Sequence, residues 1–187
     1  MRKLCSIILY KILGWKLHVT IPLRKKSIIC VAPHTSNWDF ILGILYRKSM
    51  GFSSHFLMKK DWFFWPLGIL LRHMDGIPIN RGSKHHLTDS LSDYVRHCNN
   101  INIAITPEGT RSLSRHWKKG FYFIALKAGI PIQLYALDYR NKTIVCTREI
   151  IPSGNLEKDF KDICNYYAPY GKCARFPQKF AIDNEAV

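Results

Sequence analysis

The sequence places a histidine and an aspartate five residues apart in His34-Thr35-Ser36-Asn37-Trp38-Asp39. A neutral imidazole can take the proton of a hydroxyl as its oxygen attacks a carbonyl, and a carboxylate on the other ring nitrogen fixes the tautomer and stabilises the imidazolium. A tight turn would let the two side chains meet. A turn-capping Asp beside an unrelated His has the same spacing, so the pair alone is a weak signal. A second group is Thr106-Pro107-Glu108-Gly109-Thr110-Arg111. Gly109 permits a sharp backbone turn whose N–H groups, with the Thr110 hydroxyl, can cradle an anion. Arg111 offers a planar fork matched to phosphate, and Glu108 can hold that guanidinium or hydrogen-bond an acceptor. A solvated turn with a surface ion pair would also read this way. The third group, Gly76-Ile77-Pro78-Ile79-Asn80-Arg81, runs from an apolar stretch into another Arg. Two Arg at strand ends near a His would make a phosphate clamp beside a base.

The elements that must position these groups are legible in the apolar pattern. Ser27 to Ala32, His55 to Met58, Gly76 to Asn80, Ile101 to Thr106 and Pro131 to Leu137 read as strands, with Ile144 to Thr147 a further one. Pro78 demotes the third to an edge or a strand end. Trp38 to Lys48, Leu87 to Cys98, Lys119 to Ala128 and Leu156 to Tyr167 have helical spacing. Alternating strands and helices imply an α/β fold, a largely parallel or mixed central sheet flanked by helices. Ligands in such sheets sit at the carboxyl ends of the strands, where His34 and Glu108 both fall.

A chain of 187 residues fits a single domain, 1–187. The 28 Lys and Arg against 13 Asp and Glu leave a formal charge of +15, a field that attracts anionic headgroups, phosphorylated molecules, an acidic carrier protein or nucleic acid. Six cysteines without a C-x-x-C pair or His partners at zinc spacing read as free, mostly buried thiols in a reducing compartment, with no metal site. The N-terminus, residues 1–14, reads as a short amphipathic helix, since Lys11 interrupts its apolar run and no small-residue cleavage site follows. No stretch approaches the ~20 apolar residues that span a bilayer.

Together, the His-x4-Asp pair, Gly-Ile-Pro-Ile-Asn-Arg, Pro-Glu-Gly-Thr-Arg and the later Gly129-Ile130-Pro131-Ile132 follow the block order of the glycerolipid acyltransferases, the glycerol-3-phosphate and 1-acylglycerol-3-phosphate enzymes, which this chain resembles over about residues 27–137. Pro-Glu-Gly-Thr-Arg is the specific block, expected by chance in roughly fewer than one chain in a thousand. The resemblance implies His34 as general base with Asp39 orienting it. It implies a glycerophosphate site of Arg81, Glu108, Gly109, Thr110 and Arg111, with Lys119 as a lesser anion contact. Ile130 and Pro131 are implied to line the acyl pocket. Many members carry Asn before the His, where this chain has Pro33, and many have a longer apolar N-terminal region.

The expected reaction is direct transfer of a fatty acyl group from acyl-CoA or an acyl carrier protein to a lysophospholipid hydroxyl, 1-acylglycerol-3-phosphate foremost, with no cofactor beyond that thioester co-substrate. No Ser or Cys in the blocks is placed to be acylated first, except that Ser36 stands close to His34. Acylation of another lysolipid such as an aminolipid is an alternative. So is a non-catalytic basic domain that binds lipid or nucleic acid, although no nucleic-acid motif is present. Trp62-Phe63-Phe64-Trp65, preceded by Lys59-Lys60, has an interfacial composition and is expected to contact a membrane, unless the rings are core. Peripheral attachment to the cytoplasmic face of a membrane follows.

Overall fold

Strand β2 (Lys26–Val31) is the spine of the molecule. Its β-branched residues suit a pleated position with both faces covered. Successive side chains point to opposite faces, and both are buried: Ile28 and Cys30 join one core cluster while Ile29 joins the other. The computed structural model describes residues 1–79 and 84–183, the side chains of residues 84–86 excepted.

The other strands are β1 (Lys16–Val19), β3 (His55–Lys59), β4 (Gly76–Ile79), β5 (Ile101–Ile105), β6 (Ile132–Asp138) and β7 (Thr143–Ile150). They form one sheet in the order β1-β7-β6-β2-β5-β3-β4. Only β6 and β7 pair antiparallel; every other pair is parallel. The mixed central sheet flanked by helices is the architecture the sequence predicts. Strand β4, with Pro78, lies at an edge, the position in a sheet that tolerates a proline. At the opposite edge, β1 was not legible: its four residues alternate exposed and half-buried and carry only a weak apolar signal.

The helices are α1 (Arg2–Ser6), α2 (Asn37–Met50), α3 (Leu67–His73), α4 (Lys84–His97), α5 (Gly120–Ala128) and α6 (Leu156–Tyr167). Leu91 and Val95 of α4, Tyr122 and Ile124 of α5, and Phe160 and Ile163 of α6 pack on one face of the sheet around Ile28 and Leu134. Leu42 and Tyr46 of α2 cover the other face with Leu9, Trp15 and Tyr135. The expected N-terminal helix is present as α1 continuing into a π-helical turn over Ile7–Ile12. It buries Cys5 and Leu9 but exposes Leu4, Ile7 and Ile12. Arg2 donates from Nε to the Ser49 carbonyl at 3.0 Å, and the Tyr10 hydroxyl meets Ser49 Oγ at 2.9 Å, tying this segment to the end of α2.

Helix α2 has explicit start and stop signals. Ser36 is its N-cap, and its Oγ accepts from Trp38 N–H at 3.2 Å, while the Asp39 carboxylate returns a bond to the Ser36 N–H at 2.8 Å. Gly51 ends it in the left-handed region, φ +78°, donating its N–H to the Arg47 carbonyl. Among the described residues no helix is long and apolar enough to cross a membrane.

Candidate active site

The chain leaves β2 through the cis bond between Ala32 and Pro33 and reaches His34 before α2 begins. His34 Nδ1 lies 3.2 Å from Asp39 Oδ2, with 17% of the imidazole exposed against 1% of the carboxylate. The Asp39 oxygens are fully engaged. Oδ2 also accepts the Thr35 and Ser36 N–H groups at 2.8 Å each, and Oδ1 accepts the Tyr139 hydroxyl. Asp39 is therefore both the capping residue of α2 and the partner of His34. The two meanings of a His-x4-Asp spacing coexist here, because the turn that caps the helix is also what brings the carboxylate to the ring. Among the described residues nothing hydrogen-bonds the second imidazole nitrogen, and His34 lines a cavity.

That cavity has a volume of about 810 Å³, within the range of ~300–1,000 Å³ typical of small-molecule sites. Its walls are mainly apolar. Phe40, Ile44, Phe56 and Leu57 are among them, and Arg111 and Lys118 stand where the cavity meets the turn after β5. Gly43, in the middle of α2, is on the wall, and a Cβ built there would touch nothing within 4 Å. A mid-helix glycine loses about 0.5–1 kcal/mol relative to alanine, and no close backbone approach accounts for it.

The turn after β5 meets the start of α2. Arg111 donates to the Asn37 side-chain carbonyl, so the blocks at 34–39 and 106–111 form one surface. Gly109 holds φ +66°, so the turn needs the left-handed region, and a Cβ there would lie 3.1 Å from Lys118 Cγ, a contact that the Lys118 side chain would have to yield to. The Thr110 hydroxyl accepts the Ser112 N–H at 3.2 Å.

Glu108 is placed differently from its expected role at the phosphate. It is buried and off the cavity wall, and its Oε1 accepts the His34 N–H at 2.8 Å. Among the described residues Oε2 has no hydrogen-bond partner. Burial pushes its pKa up to about 8, the His34 N–H opposing and the Asp39 charge adding to the rise. Glu108 thus accepts the backbone N–H of His34 and does not line the cavity.

Ile130 and Pro131, expected at the acyl pocket, are not on this cavity. Ile130 is in the core, and the Pro131 carbonyl accepts the Ile28 N–H at the amino end of β6. Because β6 runs parallel to β2, this is the end of the sheet opposite His34, and the cavity wall comes from α2 and β3 instead. Lys119 borders the cavity, but its ammonium lies over the Phe160 ring, 5.4 Å from the centroid. Arg81 lies outside the described residues. Trp62, Phe64 and Trp65 are exposed, Trp65 at 81%, and Phe63 is half-buried under Arg72, 5.7 Å from its ring centre. These rings are not core.

No cysteine is among the residues that line the cavity. Burial pushes Cys30 and Cys146 up to about 12 and Cys164 up to about 11, far from the thiolate a nucleophile needs. Ser36 Oγ is spent on the helix cap.

Two residues at the site carried no signal in the sequence. Tyr139 follows β6, and Arg175 lies far along the chain, with its guanidinium 5.2 Å from the Trp38 ring centre. Burial and the Asp39 charge raise the Tyr139 pKa, Arg175 opposing. Tyr139 reaches Asp39, and Arg175 reaches Trp38, only because β6 neighbours β2 and the segment after α6 returns to the same sheet end, where Phe176 N–H donates to Thr35 Oγ1 at 3.2 Å.

A family model described as Acyltransferase matches residues 16–136. No curated protein matches significantly. Among solved structures, the crystal structure of the 1-acyl-sn-glycerophosphate (LPA) acyltransferase PlsC from Thermotoga maritima is similar, with a TM-score of 0.62 at 17% sequence identity, over 91% of this chain and 77% of that one. At that identity the likeness concerns the fold, and it extends past residue 136, where the family match ends.

Proposed function

The chain belongs to the acyltransferase family, and we propose that it moves a fatty acyl group from acyl-CoA or an acyl carrier protein to the hydroxyl of a lysophospholipid, 1-acylglycerol-3-phosphate foremost. One observation carries this reading: a His–Asp pair, free at its second ring nitrogen among the described residues, borders an apolar cavity large enough for a lipid chain. His34 takes the proton of the acceptor hydroxyl. The oxygen attacks the thioester carbonyl, the C–S bond breaks as the tetrahedral intermediate collapses, and the imidazolium returns its proton to the leaving thiolate. Asp39 stabilises the imidazolium meanwhile. Arg111 and Lys118 face the acceptor phosphate, joined by Arg81 on the family resemblance, and Glu108 holds the His34 backbone. The acyl chain runs along α2, where the space a side chain at Gly43 would fill is left open.

The aromatic segment supports docking on an anionic membrane. It leaves β3 at its carboxyl end, and β3 and β2 run the same way on either side of β5, so the rings project from the end of the sheet that carries His34. Each buried ring contributes roughly 1.5–3 kcal/mol, and exposed Lys59, Lys60 and Arg72 add about 1 kcal/mol apiece near anionic lipid. Trp65→Ser should release the protein from anionic vesicles in a flotation assay; undiminished binding sinks the docking.

The test of the reaction is transfer from labelled acyl thioesters to a panel of lysolipids. His34→Ala should lose about 10²–10⁴ in rate while vesicle binding and the melting temperature hold. Full activity in the variant refutes His34 as base, and transfer only to another lysolipid moves the acceptor assignment.

A further inference from the structure

We propose that Tyr139 is a positioning residue for the base, fixing the Asp39 carboxylate through Oδ1 so that Oδ2 is left to the imidazole; this rests on reading His34 as general base. Asp39 has two oxygens and four partners: His34 Nδ1 and two backbone N–H groups on Oδ2, the Tyr139 hydroxyl alone on Oδ1. A carboxylate held only by its own turn can rotate about its terminal bond, exchanging the oxygen offered to the ring. The phenol removes that freedom, because it approaches from a different element and can only donate to an acceptor such as Oδ1 without leaving its own place.

Tyr139 is held firmly enough for this. Its ring stands edge-on to Trp15, 5.1 Å between centroids and 88° between planes, and its N–H donates to the Cys173 carbonyl at 2.8 Å. Trp15 itself is buried and anchored through its N–H to the Leu9 carbonyl at 3.0 Å. The N-terminal segment and the segment after α6 therefore brace Tyr139 at the end of β6, and Tyr139 in turn reaches the carboxylate oxygen. Tyr139 also lies beyond residues 16–136, so no block of the family match includes it. Its phenol is kept protonated by burial and by the Asp39 charge, and so remains a donor.

The bond has a second consequence. A donor on Oδ1 draws charge away from the carboxylate and so weakens its hold on the imidazolium. Among the described residues, the charged and titratable groups at this end of the site are Asp39, Glu108 at the His34 backbone, Tyr139 with Arg175 behind it, Arg111 on Asn37, and Lys118 and Lys119 on the cavity wall. Of the Asp39 partners, only the phenol can be removed by exchange of a side chain that keeps its packing. Without it the carboxylate is more negative toward His34, the imidazolium is favoured, and the base becomes available only at higher pH.

The experiment compares purified wild type, Tyr139→Phe, Asp39→Asn and the double variant in acyl transfer across pH. Phenylalanine keeps the ring against Trp15, and equal melting temperatures confirm the fold. Tyr139→Phe should lower kcat by about 10–100-fold with KM within about twofold of wild type. It should move the acid limb of kcat/KM to higher pH. In the Asp39→Asn background it should have little further effect, since the carboxylate it serves is gone. Wild-type kcat and pH profile in Tyr139→Phe, with Asp39→Asn inactive, overturn the proposal and leave the base assignment standing. Equal losses from Tyr139→Phe in both backgrounds also overturn it, as a packing effect. If Asp39→Asn and His34→Ala are both fully active, it is the reading of the base that fails.

Discussion

Strands β2, β5 and β6 carry buried polar side chains at both ends of the sheet, and the two ends are built to opposite purposes. At the amino end, Ser27, Asn102 and Gln133 stand side by side on the three strands, all buried. Ser27 Oγ meets Asn102 Oδ1 at 2.6 Å and Gln133 Oε1 at 3.2 Å, while Gln133 Nε2 donates to the Pro22 carbonyl at 2.8 Å. At the carboxyl end, His34, Glu108 and Tyr139 follow the same three strands around Asp39. That cluster is left incomplete: one ring nitrogen has no partner among the described residues, and Glu108 Oε2 is buried without one. A polar ladder whose groups face one another and the backbone fixes strand register, and none of its residues lines the cavity. An unsaturated cluster costs stability and can do chemistry.

Three substitutions test this contrast. Asp39→Asn, at the unsaturated end, should show the largest effect, a fall of about 10³–10⁴ in kcat with lipid binding retained; a loss below tenfold would break the analogy with an oriented base.

Glu108→Gln comes next, and its effect depends on pH. The wild-type carboxyl titrates near 8 when folded, against an ordinary value of about 4.3 in the unfolded chain. Below the lower value both states are protonated and burial carries no charge penalty. As pH rises between the two, the unfolded chain ionises first, so this group withdraws stability progressively until about pH 8. Glutamine keeps an oxygen for the His34 N–H and cannot ionise. Relative to wild type it should gain on the order of a few kcal/mol between pH 5 and 8, read from melting temperatures across that range. A constant difference would mean that Glu108 folds with its charge.

Asn102→Ala, at the amino end, should cost about 1–3 kcal/mol in unfolding free energy, because the buried Ser27 hydroxyl loses an acceptor. The kcat of the folded fraction should not move. A fall in kcat without loss of stability would show that the two ends are coupled.

The sequence was a good guide wherever an interaction is local. Helix α2, read from its spacing as Trp38 to Lys48, runs Asn37–Met50, and β4, placed by Pro78 at an edge or a strand end, lies at an edge. The Arg at the 106–111 turn could be paired with the His block only through the family's block order, since their proximity depends on β5 lying beside β2. Glu108 shows the limit of motif reading. Its neighbours Gly109 and Arg111 border the cavity, yet the side chain itself turns inward to a backbone N–H. Ile130 and Pro131 show the same limit at the other end of β6, because block order says nothing about strand direction.

What the amino-acid sequence determined by itself is most of the alternating elements, β1 and α3 excepted, the turn that joins His34 to Asp39 and the blocks that point to the family, each of which rests on residues within a few positions of one another. The tertiary structure alone decided which wall the cavity has, that the Trp62 to Trp65 rings are outside the core, and that Tyr139 and Arg175 stand at the site. Tyr139 is 100 residues from Asp39 along the chain. Its place depends on the order of strands in the sheet, which is settled by burial summed over the whole fold and leaves no local pattern to read.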